Sequence, residues 1–127
     1  MSDSSSEVRL TSEMKIHDDV TIDRLRSILA DVSRGAAAEG DHIRGHNFYL
    51  DEGARILFAH EHYRDADAML THLAEMDQAK VGELMSTVDV LDLRIYGPVN
   101  TELRELLEGF GSPRTFEFVS GFTHLRA

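Results

Sequence analysis

Two hydrophobic periods alternate along this chain, and their order leaves few folds open to it. From Val8 to Ile16 the spacing is two: Val8, Leu10, Met14 and Ile16 fall on one face, and Arg9, Thr11, Glu13 and Lys15 on the other. That is the pattern of a half-buried strand. The period then lengthens. Asp18 and Asp19 offer capping oxygens to a helix in which Ile22, Leu25, Ile28, Leu29 and Val32 recur at helical spacing. Gly35 and the alanines after it loosen the pattern, and Gly40 ends it. A second strand is expected over residues 43–50 and a third over 55–63. The turn Asp51-Glu52-Gly53-Ala54 between them makes a hairpin. Asp65 caps a second helix lined by Ala66, Met69, Leu73 and Met76, and a shorter helical piece carries Val81, Leu84 and Met85 inward. A fourth strand runs from Val88 to Tyr96, with Leu91, Leu93 and Ile95 on its apolar side.

The resulting order, β-α-β-β-α-β, is that of a ferredoxin-like α+β fold with an antiparallel sheet. A helix and a strand are appended to it. Asn100 caps the helix, which carries Leu103, Leu106, Leu107 and Phe110, and Gly109, Gly111 and Pro113 stop it. The strand is expected over residues 115–122, with Phe116, Phe118 and Phe122 on one side. Helices on one face of a four-stranded sheet leave the other face bare, and strand three carries Leu57 on one side and Ile56 and Phe58 on the other. Two such sheets closing face to face bury both surfaces, which predicts a homodimer sharing an α/β barrel. The Phe-rich terminal strand is placed to cross to the partner's sheet edge.

One domain accommodates the whole chain of 127 residues. Residues 1–7 read as a disordered tail, 8–97 as the core unit and 98–127 as its extension. A net charge of −10 argues against nucleic acid and against an anionic membrane surface. No cysteine is present, which removes disulfides, thiol catalysis and thiolate metal sites. No apolar run approaches the roughly 20 residues that cross a bilayer. The opening Met1-Ser2-Asp3-Ser4-Ser5-Ser6 lacks the basic and apolar regions of a signal peptide, so the expected compartment is the cytoplasm.

The stretch from Glu61 to His72 resembles the signature of antibiotic biosynthesis monooxygenase domains. There the third strand ends in Glu, any residue, then Trp or Tyr; an acidic or Ser cap, an Ala and a His follow. Here these are Glu61, Tyr63, Asp65, Ala68 and His72. Gly45-His46-Asn47-Phe48-Tyr49-Leu50 is similar to the family's second strand, and the resemblance spans Val8 to Tyr96. It implies a dimeric α+β barrel. It also implies oxidation of an aromatic, quinol or polyketide-like small molecule by molecular oxygen, without flavin, haem or metal. Other bearers of the fold degrade haem or handle small metabolites, so a haem-degrading relative and a non-catalytic binding module on the same scaffold are alternatives. Two departures bear on the mechanism. The chain has no Trp, and Ala59 stands where some members place an Asn, with Asn47 as a possible substitute amide.

Cofactor-free oxygenation requires a base, a dry pocket and a hydrogen bond for the developing enolate. Among seven histidines, His72 is the expected base, with Tyr63 and Glu61 beside it in a pocket between sheet and helices. A hydrogen bond between His72 and Glu61 is also expected, and its structural alternative is a buried pair that fixes helix on sheet. Tyr63 either positions a substrate hydroxyl or packs under the next helix. Asn47, His60, His62 and Arg94 are expected substrate contacts. His60 and His62 share a face, and His46 on the paired strand would complete a metal triad with them. The rings are assigned instead to the barrel interior or dimer interface, and no metal is expected. Arg94 stands with Asp92 and Tyr96 opposite the apolar side of its strand, suited to an acidic ligand or to an Arg–Asp pair across a dimer. Met69, Met76 and Met85 read as core packing, and Glu102, Glu105 and Glu108 as a solvated helix face.

Overall fold

The structure, a computed structural model, describes residues 6–124. The serine-rich start at residues 1–5 lies outside the described residues. Alternating residues build β1 (Val8–Ile16), whose odd-even split is followed by α1 (Ile22–Glu39), β2 (Ile43–Asp51), β3 (Ile56–Tyr63), α2 (Ala66–Glu75), α3 (Gln78–Met85), β4 (Val88–Tyr96), α4 (Thr101–Leu107) and β5 (Pro113–Phe116). The sheet order is β2-β3-β1-β4-β5. The first four strands pair antiparallel in the ferredoxin-like order. β5 lies parallel to β4 at the open edge, as a helix crossover requires.

Several boundaries differ from expectation for local reasons. Thr21, not Asp18 or Asp19, caps α1, accepting a hydrogen bond from the Arg24 backbone N–H. The other end of α1 is as expected: the helix runs through Gly35 to Glu39, with Ala36 keeping the buried stripe going, and Gly40 caps it. Arg55 belongs to the hairpin turn rather than to β3: it takes φ +56°, and its guanidinium donates to the carbonyls of His17 and Val20, both at 2.6 Å. The last strand ends at Phe116, well short of residue 122, and pairs with β4 of its own chain. Glu7, assigned to the tail, is buried and ion-paired to Arg44 at 2.8 Å. Asp65, Asp77 and Asn100 cap α2, α3 and α4 through their side-chain oxygens.

The helices cover one face of the sheet and divide the core in two. Met14, Ile16, Leu25, Ile28, Val32, Leu57 and Leu84 pack under α1 and α3. Val8, Leu10, Tyr63, Met69, Leu93, Ile95, Leu103 and Leu107 pack under α2 and α4. Each fully buried aliphatic side chain here contributes about 1.5–3 kcal/mol. Between the two clusters the sheet is floored by small residues. Ser12 and Ala59 are directly paired across β1 and β3, and both point at the helices. Neither side chain reaches the helix layer, which opens the site described next.

Candidate functional site

A cavity of about 100 Å³ sits above Ser12 and Ala59. Its walls come from both clusters and are almost wholly apolar: Leu10, Met14, Phe48, Met69, Met76 and Leu84 among others. The polar exceptions are Ser12, His46, Glu61 and His72. An adjoining cleft of about 150 Å³ shares Val32, His46, His72, Met76 and Val81 with the cavity and is edged by Asp31, Asp77 and Lys80. The two imidazoles therefore stand where a dry chamber meets a polar mouth. The methionines read as packing turn out to be cavity wall, and their unbranched thioethers let that wall adjust to a ligand.

His72 projects from the second turn of α2, which Asp65 starts by accepting the Ala68 N–H at 2.8 Å. Its Nδ1 lies 2.9 and 3.0 Å from the two carboxylate oxygens of Glu39 at the end of α1. Glu39 also lies 3.4 Å from His42 Nε2. The expected bond from His72 to Glu61 is thus replaced by one to Glu39, which leaves Nε2 as the ring nitrogen turned to other partners. Glu61 is engaged differently: Tyr63 donates its hydroxyl to Glu61 Oε1 in a short hydrogen bond. His46 Nε2 lies 3.8 Å from the same oxygen, and the His46 and His72 rings are 5.5 Å apart. Tyr63 itself is fully buried and does not line the cavity. Burial, with Glu61 adding to it, holds its phenol well above its ordinary value of 10.0, so it stays a hydrogen-bond donor across the physiological range.

The sheet register divides the other expected contacts. His46 pairs with Glu61 and Asn47 with His60, so His46 faces the helices while Asn47 and His60 face the open side. The triad of His46, His60 and His62 does not form, because opposite faces of a strand cannot converge on one point. His62 lies 3.1 Å from Glu7. Burial, aided by the Arg9 charge, lowers its pKa against the pull of Glu7. Arg94 also lies on the open face and donates from Nε to Asp92 at 2.7 Å, and Arg114 of the same chain completes that cluster at 2.9 Å. Asn47, His60, His62 and Arg94 accordingly have no part in the cavity wall. His60 and Arg94 share instead a shallow groove on the bare side of the sheet.

No protein-family model matches the chain, and no curated protein matches it in sequence. Solved structures do match its fold. MupZ from Pseudomonas fluorescens superposes with a TM-score of 0.73 at 18% identity, over 94% of this chain and 95% of that one. SnoaB, a cofactor-independent oxygenase from Streptomyces nogalater, does so at 0.60 and 14% identity, over 76% and 96%. A protein from Chloroflexus aurantiacus J-10-fl named for antibiotic biosynthesis monooxygenase gives 0.58 and 14%, over 75% and 95%. The fold is that of the antibiotic biosynthesis monooxygenases. The monooxygenase-type structures overlap about three quarters of this chain, whereas the 94% overlap with MupZ takes in part of the chain beyond Gly97.

Sequence reasoning missed two members of the site. Glu39 was passed over, although it continues the buried stripe of α1 by one more step from Val32 and Ala36, and a carboxylate at such a position requires a partner. His46 was read with the wrong face, although its alternation with Phe48 and Leu50 places all three inward.

Proposed function

We propose that this chain is a cofactor-independent monooxygenase of a small, electron-rich aromatic or quinol-type molecule, working as a homodimer. One observation carries the reading: an imidazole held by a half-buried carboxylate faces an apolar cavity. The Glu39 carboxylate fixes the His72 ring and stabilises the imidazolium that forms when Nε2 accepts a proton. Exclusion of water favours a substrate whose anion is delocalised over its own ring. The carbanion left behind transfers one electron to oxygen, and the resulting radical pair joins to form a carbon–oxygen bond. The peroxide then takes back a proton and loses water to leave a carbonyl, so one molecule of oxygen yields one ketone oxygen and one water. Glu61, with its orientation set by Tyr63, is a hydrogen-bonding partner for a substrate hydroxyl, and Tyr63 is a positioning residue. A cavity of this size takes a single ring, with substituents reaching into the cleft past Lys80. The solved likeness to a cofactor-independent oxygenase supports this choice among reactions that use a proton acceptor.

Oxygen uptake by the purified protein, with EDTA present and a panel of quinols and anthrones, tests the proposal. The wild-type chain should exceed the spontaneous rate, and His72→Gln should lower turnover by about 10²–10⁴-fold, the range for loss of a general base. Ala59→Leu, which fills the space above Ser12, should abolish turnover while leaving the base in place. Saturable binding of panel members without any oxygen uptake would establish a binding module instead.

A further inference from the structure

The polar groups of the cavity are more than a base needs. His46, Glu61 and His72 each offer one ligand atom, and the three atoms lie within 4.8 Å of one another. They come from three different elements, β2, β3 and α2, so the geometry is fixed by the fold and not by one local turn. Two imidazoles and a carboxylate on one side of a site are a donor set for zinc or a related first-row divalent ion. Ligand atoms around such an ion stand roughly 3.3 Å apart, given metal–nitrogen distances of about 2.0–2.1 Å. His46 Nε2 and Glu61 Oε1, at 3.8 Å, need only a small side-chain rotation to reach that spacing.

Two features also suit an ion. His72 Nδ1 is tied to the Glu39 carboxylate, the outer arrangement that orients a metal-bound imidazole. Glu61 is likewise held by the Tyr63 hydroxyl, which donates to its Oε1. The cleft edged by Asp31 and Asp77 gives a cation a route to the imidazoles.

We infer that His46, Glu61 and His72 form a divalent transition-metal site within the cavity. Occupancy takes the Nε2 lone pair of His72. Resting on the oxygenase reading above, the ion is therefore an inhibitor of proton abstraction, and apoprotein and metal-bound protein are alternative states. The partly exposed group Glu39, His42 and Glu75 is the competing location for an ion.

Cobalt(II) is the probe, because its visible bands intensify when water ligands give way to nitrogen and carboxylate in a site of low coordination number. Titration of the metal-free chain should saturate at one cobalt per chain, and added zinc should bleach the bands. His46→Gln should abolish them. Glu39→Gln should weaken binding by about 10–100-fold, the effect expected for an outer partner of a metal-bound histidine. Zinc should also raise the wild-type melting temperature but not that of His46→Gln, a check that His46→Gln is folded and has lost the site. Bands that survive in both His46→Gln and Glu61→Gln, or that vanish only in Glu75→Gln, would place the ion elsewhere and overturn the inference. So would a titration that leaves the cobalt spectrum aqueous. If cobalt binds as described but oxygen uptake is absent with EDTA, the metal site stands and the oxygenase reading falls.

Discussion

Tyr63 shows how one buried hydroxyl ties stability to the site. Its donor bond to Glu61 is charge-assisted, and such bonds contribute about 1.5–3 kcal/mol. Tyr63→Phe keeps the ring, which fills the core beside Met69 and Ile95, and removes only that bond. Urea unfolding at neutral pH should show a loss in that range with an unchanged m-value. The sign of the pH effect follows from the raised phenol. An unfolded tyrosine ionises near 10.0 while the folded one remains protonated. The stabilisation is therefore complete below pH 10 and is lost as pH rises through the folded value. Wild-type stability should fall above pH 10, and Tyr63→Phe should flatten that limb. An alkaline limb identical in both proteins would show that Tyr63 is not its origin.

At the level of the elements, glycines separate close approach from mere tolerance. Gly97 ends β4 at φ +110°, and a Cβ there would lie 2.1 Å from the Glu7 carbonyl oxygen. Its N–H also donates to Phe116 and so ties β5 to the sheet. Gly97→Ala combines a backbone clash with a left-handed φ, and should cost about 2 kcal/mol or more. Gly35, inside α1, has open space where a Cβ would go. Gly35→Ala should stabilise by roughly 0.5–1 kcal/mol, through helix propensity alone. Thermal melts of the two variants should move in opposite directions. The same contrast explains what the sequence makes legible. Elements follow from periodicity, so β1, β4 and the caps Asp65 and Asn100 could be read directly. Register could not, because it depends on how many residues the hairpin turn consumes. Here Asp51 faces Ile56, and that one choice puts His46 opposite Glu61 rather than with His60. The family signature brought out Glu61, Tyr63 and His72. Glu39 lies thirty-three positions from its histidine on another helix, and no local pattern joins them.

The whole molecule presents helices on one side and a largely bare sheet on the other. Tyr49 and Phe58 are exposed there, beside polar Thr11, Glu13 and His60, and Phe116 stacks on Tyr96 at the β4–β5 edge. Beyond β5 the chain continues with Phe118, Val119 and Phe122 exposed, the last of these more than half so. Thr123 pins this segment back over the start of β1, accepting from Arg9 at 3.2 Å and donating to Glu7 at 3.3 Å. An apolar set of this kind favours a second copy across a two-fold axis, which supports the proposed homodimer. Charge works against it: each chain carries −10, so two copies repel at long range. Salt screens that repulsion over a Debye length of about 10 Å at 0.1 M and leaves the buried apolar area unaffected. Raising ionic strength should therefore tighten the dimer. Light scattering should give about twice the 14.3 kDa chain mass, and the dissociation constant from dilution should fall as salt is raised from about 0.01 M to 0.1 M. Phe58→Glu, at the centre of the open face, should yield a folded monomer. A wild-type chain that stays monomeric at high salt and high concentration would mean that this face meets water and not another copy.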